Sequence, residues 1–258
     1  NFLSIFVSNH IDSTYRSLAF LRYIIIFVSV TSIFYNHNNN SLLYFFLSSN
    51  ILVFIIVLNQ IYQLYFGFDF FGNPAVPYRL SGFYGDELIV GQVLFILSLP
   101  SVYFSFFIKN KYISNSYLIL ISTVILIGIF LSGQRTALIN CIISMLIFFY
   151  FFRNKIYISL FKLTVSFLSL LFFCIFFIKH FNERFIQTTL YQLSNFFDTS
   201  YFAYFESSVI LWLKNPILGV GLKNYRNECT NELFISGYES IPCATHPHNI
   251  YLEFLSEL

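Results

Sequence analysis

Apolar residues run along this chain in long, nearly unbroken stretches parted by short polar breaks, unlike the spaced stripe of a helix lying on a soluble protein. A bilayer core of about 30 Å needs about 20 apolar residues per helical crossing. Six such stretches lie near 17–35, 42–66, 88–108, 116–132, 136–152 and 157–179, and a further one begins at 248–258. Between the first two there is only the uncharged turn Asn36-His37-Asn38-Asn39-Asn40-Ser41. Residues 67–87 read as an ordered loop rich in glycine and clustered charge, and residues 180–247 as a long polar loop with helices of its own. Inside it, Asp198-Thr199-Ser200 signals the start of a helix that Asn215-Pro216 stops after Lys214. Phe202, Phe205, Val209 and Leu213 recur on one side of that helix. Too short and polar to cross a bilayer, it is expected to lie along the interface. The pattern predicts an all-α protein: a polytopic transmembrane helical bundle over 1–179, with a long helical loop over 180–247.

Composition sharpens this picture. The chain is 57% hydrophobic, 22% aromatic and 10% charged, outside the range of a soluble domain of 258 residues. A formal charge of +2 gives no electrostatic footprint for nucleic acid. The abundance of Phe and Tyr is read as coding bias without chemical meaning. There is no initiator Met and no signal-peptide pattern, and the last residues lie in an apolar helix, so the chain is expected to be a piece of a longer protein. Lys109 with Lys111, and Arg153 with Lys155, mark the loops expected in the cytoplasm. Alternation then places 67–87, the turn Ser132-Gly133-Gln134-Arg135 and 180–247 together on the outer face, while Arg16 and Arg22 depart from the rule.

Against this apolar background the chemistry-bearing residues are few. Arg135, at the lip of a hairpin of apolar helices, is the one charged residue between Lys111 and Arg153. A charge near hydrocarbon is expensive, and a guanidinium suits bidentate binding of phosphate. Arg79, in a loop with Asp86 and Glu87, is either part of an ion-pair group or a second phosphate contact. Lys223 and Arg226 follow the glycine turn Gly219-Val220-Gly221 and are solvated charges or anion ligands. At the C-terminal end, His246-Pro247-His248-Asn249 precedes an apolar helix. Pro247 suits a first helical turn, which is expected to hold His248 where the helix dipole disfavours its protonation. A neutral imidazole there is a candidate general base. Cys141 and Cys174 fall in apolar stretches as small core residues, whereas Cys229 and Cys243 lie in the long loop and are read as a disulfide. Zinc held by Cys229, Cys243, His246 and His248 is the rejected alternative, because the spacing matches no usual zinc pattern. No metal or other cofactor is expected.

Ser132-Gly133-Gln134-Arg135-Thr136-Ala137, Asn215-Pro216-Ile217-Leu218-Gly219-Val220-Gly221 and His246-Pro247-His248-Asn249-Ile250-Tyr251-Leu252 together resemble the three landmarks of the bacterial O-antigen ligase and O-antigen polymerase superfamily, from about Arg79 onward. The resemblance implies a multi-pass inner-membrane enzyme that transfers a glycan from undecaprenyl diphosphate to an acceptor hydroxyl in the periplasm. Its acceptor would be the lipid A core for a ligase, or a second lipid-linked glycan for a polymerase. It implies His248 as catalytic base and Arg135 as a diphosphate contact; His246 and Asn249, next to His248 in the chain, are expected to contact the substrate. The family usually carries another Arg about fifteen residues before the Asn-Pro landmark; Tyr201 stands near that point here, leaving Arg79 or Arg226 as substitutes. A transporter of lipid-linked sugars and a non-catalytic membrane scaffold are the rival readings. The first would place charges along the middle of several spans, and the second would make substitution of His248 silent.

Overall fold

The computed structural model describes residues 21–35, 39–76, 79–85, 87–154, 182–221, 224–235, 243–244 and 246–257. The expected span at 157–179, with Cys174, lies outside them, as do Arg16, Asp86, Lys155 and Lys223. Among the described residues the structure is helical, with two isolated bridges, Phe68 to Pro74 and Val76 to Arg79, in place of a sheet. The helices are α1 (Leu21–Tyr35), α2 (Asn39–Phe66), α3 (Val90–Tyr103), α4 (Lys111–Leu131), α5 (Arg135–Phe151), α6 (Thr188–Ser194), α7 (Ser200–Lys214), α8 (Tyr225–Ile235) and α9 (Ile250–Glu257). A π-helical turn, Asn182–Gln187, leads into α6. Among the described residues three stretches are long and apolar enough to cross a membrane: Ser41–Phe66, Val90–Phe107 and Lys111–Leu131. α5, also apolar, is shorter.

Two boundaries differ from the sequence reading. α4 starts at Lys111 rather than near 116, because Asn110 accepts hydrogen bonds from the backbone N–H of Tyr112 (2.9 Å) and Ile113 (3.3 Å) and so caps the helix across a polar turn. The stretch expected as one helix over 88–108 bears Pro100 in its last turn and tightens into a 3₁₀ turn at Phe104–Phe107.

The chain forms two compact units, residues 36–189 and residues 1–35 with 190–258. In the first, α2 to α5 pack around Val53, Val90, Leu94, Ile121, Ile125, Ile129 and Cys141, each fully buried. Its polarity is inverted relative to a soluble bundle. α2 turns Ser49, Asn50, Asn59, Gln60 and Gln63 inward, while Ile51, Leu52, Ile55 and Leu58 face outward. Lipid is as apolar as leucine, so close packing and interhelical hydrogen bonds hold such helices together. Both are present. Gln60 Nε2 donates to the carbonyl of Gly128 at 3.1 Å, crossing from α2 to α4. At Gly128 a Cβ would lie 2.6 Å from Val57 Cγ2 and 2.7 Å from a Leu94 methyl, so only glycine lets α2, α3 and α4 meet.

The same amides anchor the loop after α2. Gln63 Oε1 accepts from the Gly82 N–H (2.9 Å), Asn59 Oδ1 accepts from the Phe70 N–H (2.9 Å), and the Leu80 N–H donates to the carbonyl of Leu131 (3.1 Å). Asp69 folds the tip of this loop by accepting from the Phe71 and Asn73 N–H groups (both 2.8 Å) and from Asn73 Nδ2 (2.9 Å). Burial pushes its carboxyl upward, but these hydrogen bonds outweigh it and hold the acid below its ordinary value. Loop 67–85 and the turn after α4 therefore occupy one end of this unit.

In the second unit, α7 packs against α8 and α9 around Leu211, Val220, Tyr225 and Cys229. α7 begins and ends where its sequence signals lie: Thr199 Oγ1 accepts from the Phe202 N–H, and Asn215 follows Lys214 at the C-cap. Its packed face is Ser207, Ser208 and Leu211, whereas Val209 and Leu213 are exposed. Cys229 and Cys243 are joined by a disulfide that ties the chain ahead of His246 to α8, with a Cα separation of 6.0 Å.

Candidate functional site

The candidate residues gather in two constellations, one in each unit. In the first unit, α4 is stopped at Ser132, and Gly133 takes a left-handed conformation (φ 63°) that lets the chain reverse directly into α5. Arg135 is thereby fixed as the first residue of α5, half-buried. Its Nη1 donates to Thr189 Oγ1 at 2.6 Å, and that hydroxyl donates to the carbonyl of Phe185 at 2.8 Å. In the reverse direction Arg184 Nε donates to the carbonyl of Gly133 at 3.3 Å, while the Phe185 ring stacks on Phe130 with centroids 4.7 Å apart. Two guanidiniums are thus brought to the same turn by reciprocal contacts between 130–135 and 184–189.

Sequence reasoning missed Arg184. It stands at the start of the long polar loop, just after an apolar stretch, and that position at the expected membrane edge was its only signal. Arg79 is half-buried in the same unit, and its neighbour Leu80 binds the last residue of α4. Arg226 lies exposed in the first turn of α8.

The second constellation surrounds His248. The helix expected to include Pro247 and His248 in its first turn begins only at Ile250. Asn249 is its cap: Oδ1 accepts from the N–H of Tyr251 (2.9 Å) and of Leu252 (3.3 Å). Asn249 therefore has a local structural use for its side-chain oxygen, in addition to the substrate contact expected of it. His248 lies just outside the helix with φ 55°, and among the described residues it is the one non-glycine residue with positive φ. Such a conformation is uncommon for a residue with a Cβ and is worth functional attention.

The His248 imidazole is exposed on one side and enclosed by rings on the other. Tyr204 stacks at 5.3 Å (30° between planes), Tyr201 meets it edge-on at 5.8 Å, and His246 lies at 4.2 Å. Partial burial, and then the nearness of His246, hold His248 below the ordinary imidazole value. It is neutral at physiological pH.

The Asn-Pro-x-x-Gly-x-Gly landmark gains a structural meaning here. Gly219 (φ 59°) and Gly221 (φ 96°) take left-handed conformations, and between them the Val220 N–H donates to the carbonyl of Ser256 in α9 at 2.8 Å. Glu257, buried, accepts from the Tyr225 N–H at 3.3 Å and so caps α8 from α9. Tyr225 returns its hydroxyl to Ser207 of α7 at 2.6 Å. The glycine turn and the histidine helix are two sides of one packed junction. Because both sulfurs of Cys229 and Cys243 are in the disulfide, neither serves as a thiolate ligand, which removes half of the zinc alternative.

No curated protein and no solved structure matches the chain. A family model described as O-antigen ligase matches residues 118–258, more than half of the chain, covering Arg135, Arg184, the glycine turn and His246 to Asn249 but not Arg79. With apolar helices, the landmark turn and the histidine helix all inside one membrane protein, this chain belongs to the O-antigen ligase family.

Proposed function

We propose that this protein is a glycosyltransferase of the inner membrane that moves a glycan from undecaprenyl diphosphate to an acceptor hydroxyl on the periplasmic side. Membership of the O-antigen ligase family supports glycan transfer in polysaccharide assembly at the coarser level. The observation that carries the finer reading is His248: an imidazole kept neutral, open on one side, and set by a left-handed backbone at the start of a capped helix. In the proposed step His248 takes the proton of the acceptor hydroxyl as its oxygen bonds to the anomeric carbon, and the bond from that carbon to the diphosphate oxygen breaks. The diphosphate leaves with the bonding electrons. Arg135 and Arg184, two permanent cations, are the groups suited to the charge it acquires. The lipid diphosphate is already an activated leaving group, so the step requires no nucleotide sugar. Ligase and polymerase versions differ in the acceptor, lipid A core or a second lipid-linked glycan.

Complementation of surface polysaccharide by the full-length protein tests the proposal, in one host lacking its ligase and another lacking its polymerase. The wild type is expected to restore glycan on lipid A or a ladder of chain lengths, and His248→Ala to lose it by about 10²-fold or more at equal membrane expression. Equal restoration by both would remove His248 from the mechanism.

A further inference from the structure

The inner stripe of α7 runs Tyr201, Tyr204, Ser208, Leu211, each three or four residues from the last and so on one helical face. Its second half is closed over by α8 and α9 through Leu211 and the Ser207–Tyr225 bond. The first half is covered differently. Tyr201 and Tyr204 both meet the His248 imidazole, and Tyr201 keeps 38% of its surface exposed beside exposed His248. An aromatic wall thus borders the neutral histidine on its α7 side.

A general base that acts directly lies within about 2.6–3.2 Å of the group it deprotonates. A sugar hydroxyl bound to His248 therefore brings its ring against side chains whose centroids are 5.3 and 5.8 Å from the imidazole. Phenol faces carry negative quadrupolar charge, which attracts the weakly positive C–H face of a pyranose and repels phosphate. Tyrosine hydroxyls at the rim add the polar handles that a sugar's edge requires.

We infer that Tyr201 and Tyr204 form the platform on which the acceptor sugar lies, ring against ring, with its reactive hydroxyl turned to His248. Tyr201 presents a group suited to carbohydrate rather than to phosphate. The inference rests on the reading of His248 as the base, and it assigns the acceptor side of that site.

The test uses the full-length protein in nanodiscs, with the undecaprenyl-diphosphate-linked glycan as donor. The acceptor is whichever of lipid A core and lipid-linked glycan the wild type extends. Each substrate is titrated at saturating levels of the other for the wild type, Tyr201→Leu, Tyr204→Leu, Tyr201→Phe and His248→Ala. The Leu variants are expected to raise the acceptor KM about tenfold while the donor KM stays within about twofold, and Tyr201→Phe, which keeps the ring, to stay near wild type. An unchanged acceptor KM in both Leu variants, with His248→Ala inactive, would overturn the platform and leave the base in place. A rise in both KM values together with a lowered melting temperature would assign the tyrosines to packing alone and overturn it as well. If His248→Ala transfers as well as wild type, or the wild type extends neither acceptor, the base and the platform fall together.

Discussion

At the scale of single residues, the surroundings of His248 translate into a pH profile. The base must be neutral, and burial together with His246 lowers its proton affinity. The acid limb of kcat/KM is therefore expected below pH ~6.5, with a flat rate through neutrality. His246→Ala removes one of the two causes and should move that limb to higher pH; a limb that does not move would dissociate the pair. Arg135 and Arg184 make a second prediction. Arg135→Lys keeps the charge but loses the fork, and Arg184→Ala loses both, so donor KM is expected to rise about tenfold or more in each, with acceptor KM little affected. A donor titration that leaves KM unchanged in Arg184→Ala would confine that residue to bonding the Gly133 carbonyl. Arg135 and His248 were both legible in the sequence, because an isolated charge and a His-rich helix start stand out in an apolar chain. Arg184 was not, since its significance comes from a partner 51 residues away.

At the scale of elements, the apolar runs located the helices well because a run of bilayer length has few other uses. Helix ends were less legible. The segment from Lys111 to Asn115 looked like loop, yet Asn110 caps the chain there and the helix carries those polar residues in its first turns. Near the end of the sequence Pro247 suggested an earlier start for α9 than Asn249 sets. In both cases a side-chain oxygen one residue before the helix decided the boundary. The faces of helices were less legible still, since α2 and α7 pack on sides that carry polar residues, Asn59, Gln60 and Gln63 on α2 and Ser207 and Ser208 on α7, and leave apolar residues outside, so that apolar periodicity does not mark the packed side. Gly128 marks such a packed side. Gly128→Val would press on Val57 and Leu94 across α2 and α3, and the loss expected for an overpacked core is about 1–3 kcal/mol. Thermal unfolding of the purified protein in detergent should show a lower midpoint for this variant, and an unchanged midpoint would mean that the helices separate without cost.

At the scale of the whole molecule, long-range ties turn a greasy chain into defined units. The disulfide between Cys229 and Cys243 closes a loop of sequence separation 14, which the chain-entropy model values at about 3 kcal/mol. Cys243→Ser is expected to lower stability by about 2–4 kcal/mol, read as a lower denaturation midpoint. It should also lower transfer, because the chain leading to His246 loses its tether; full activity with a lowered midpoint would separate the two effects. What the sequence determined by itself is whatever depends on local composition. It set the membrane class, the sites of most helices, the family landmarks and the two residues of greatest chemical contrast, because hydropathy and turn chemistry act over a few residues. Only the tertiary structure decided which face of each helix is buried, that Gln60 and Gln63 hold the loop after α2, that Arg184 joins Arg135's turn, and that Tyr201 and Tyr204 stand beside His248. Those pairings join residues far apart in the chain, and they are fixed by close packing and buried hydrogen bonds, which local sequence patterns do not encode.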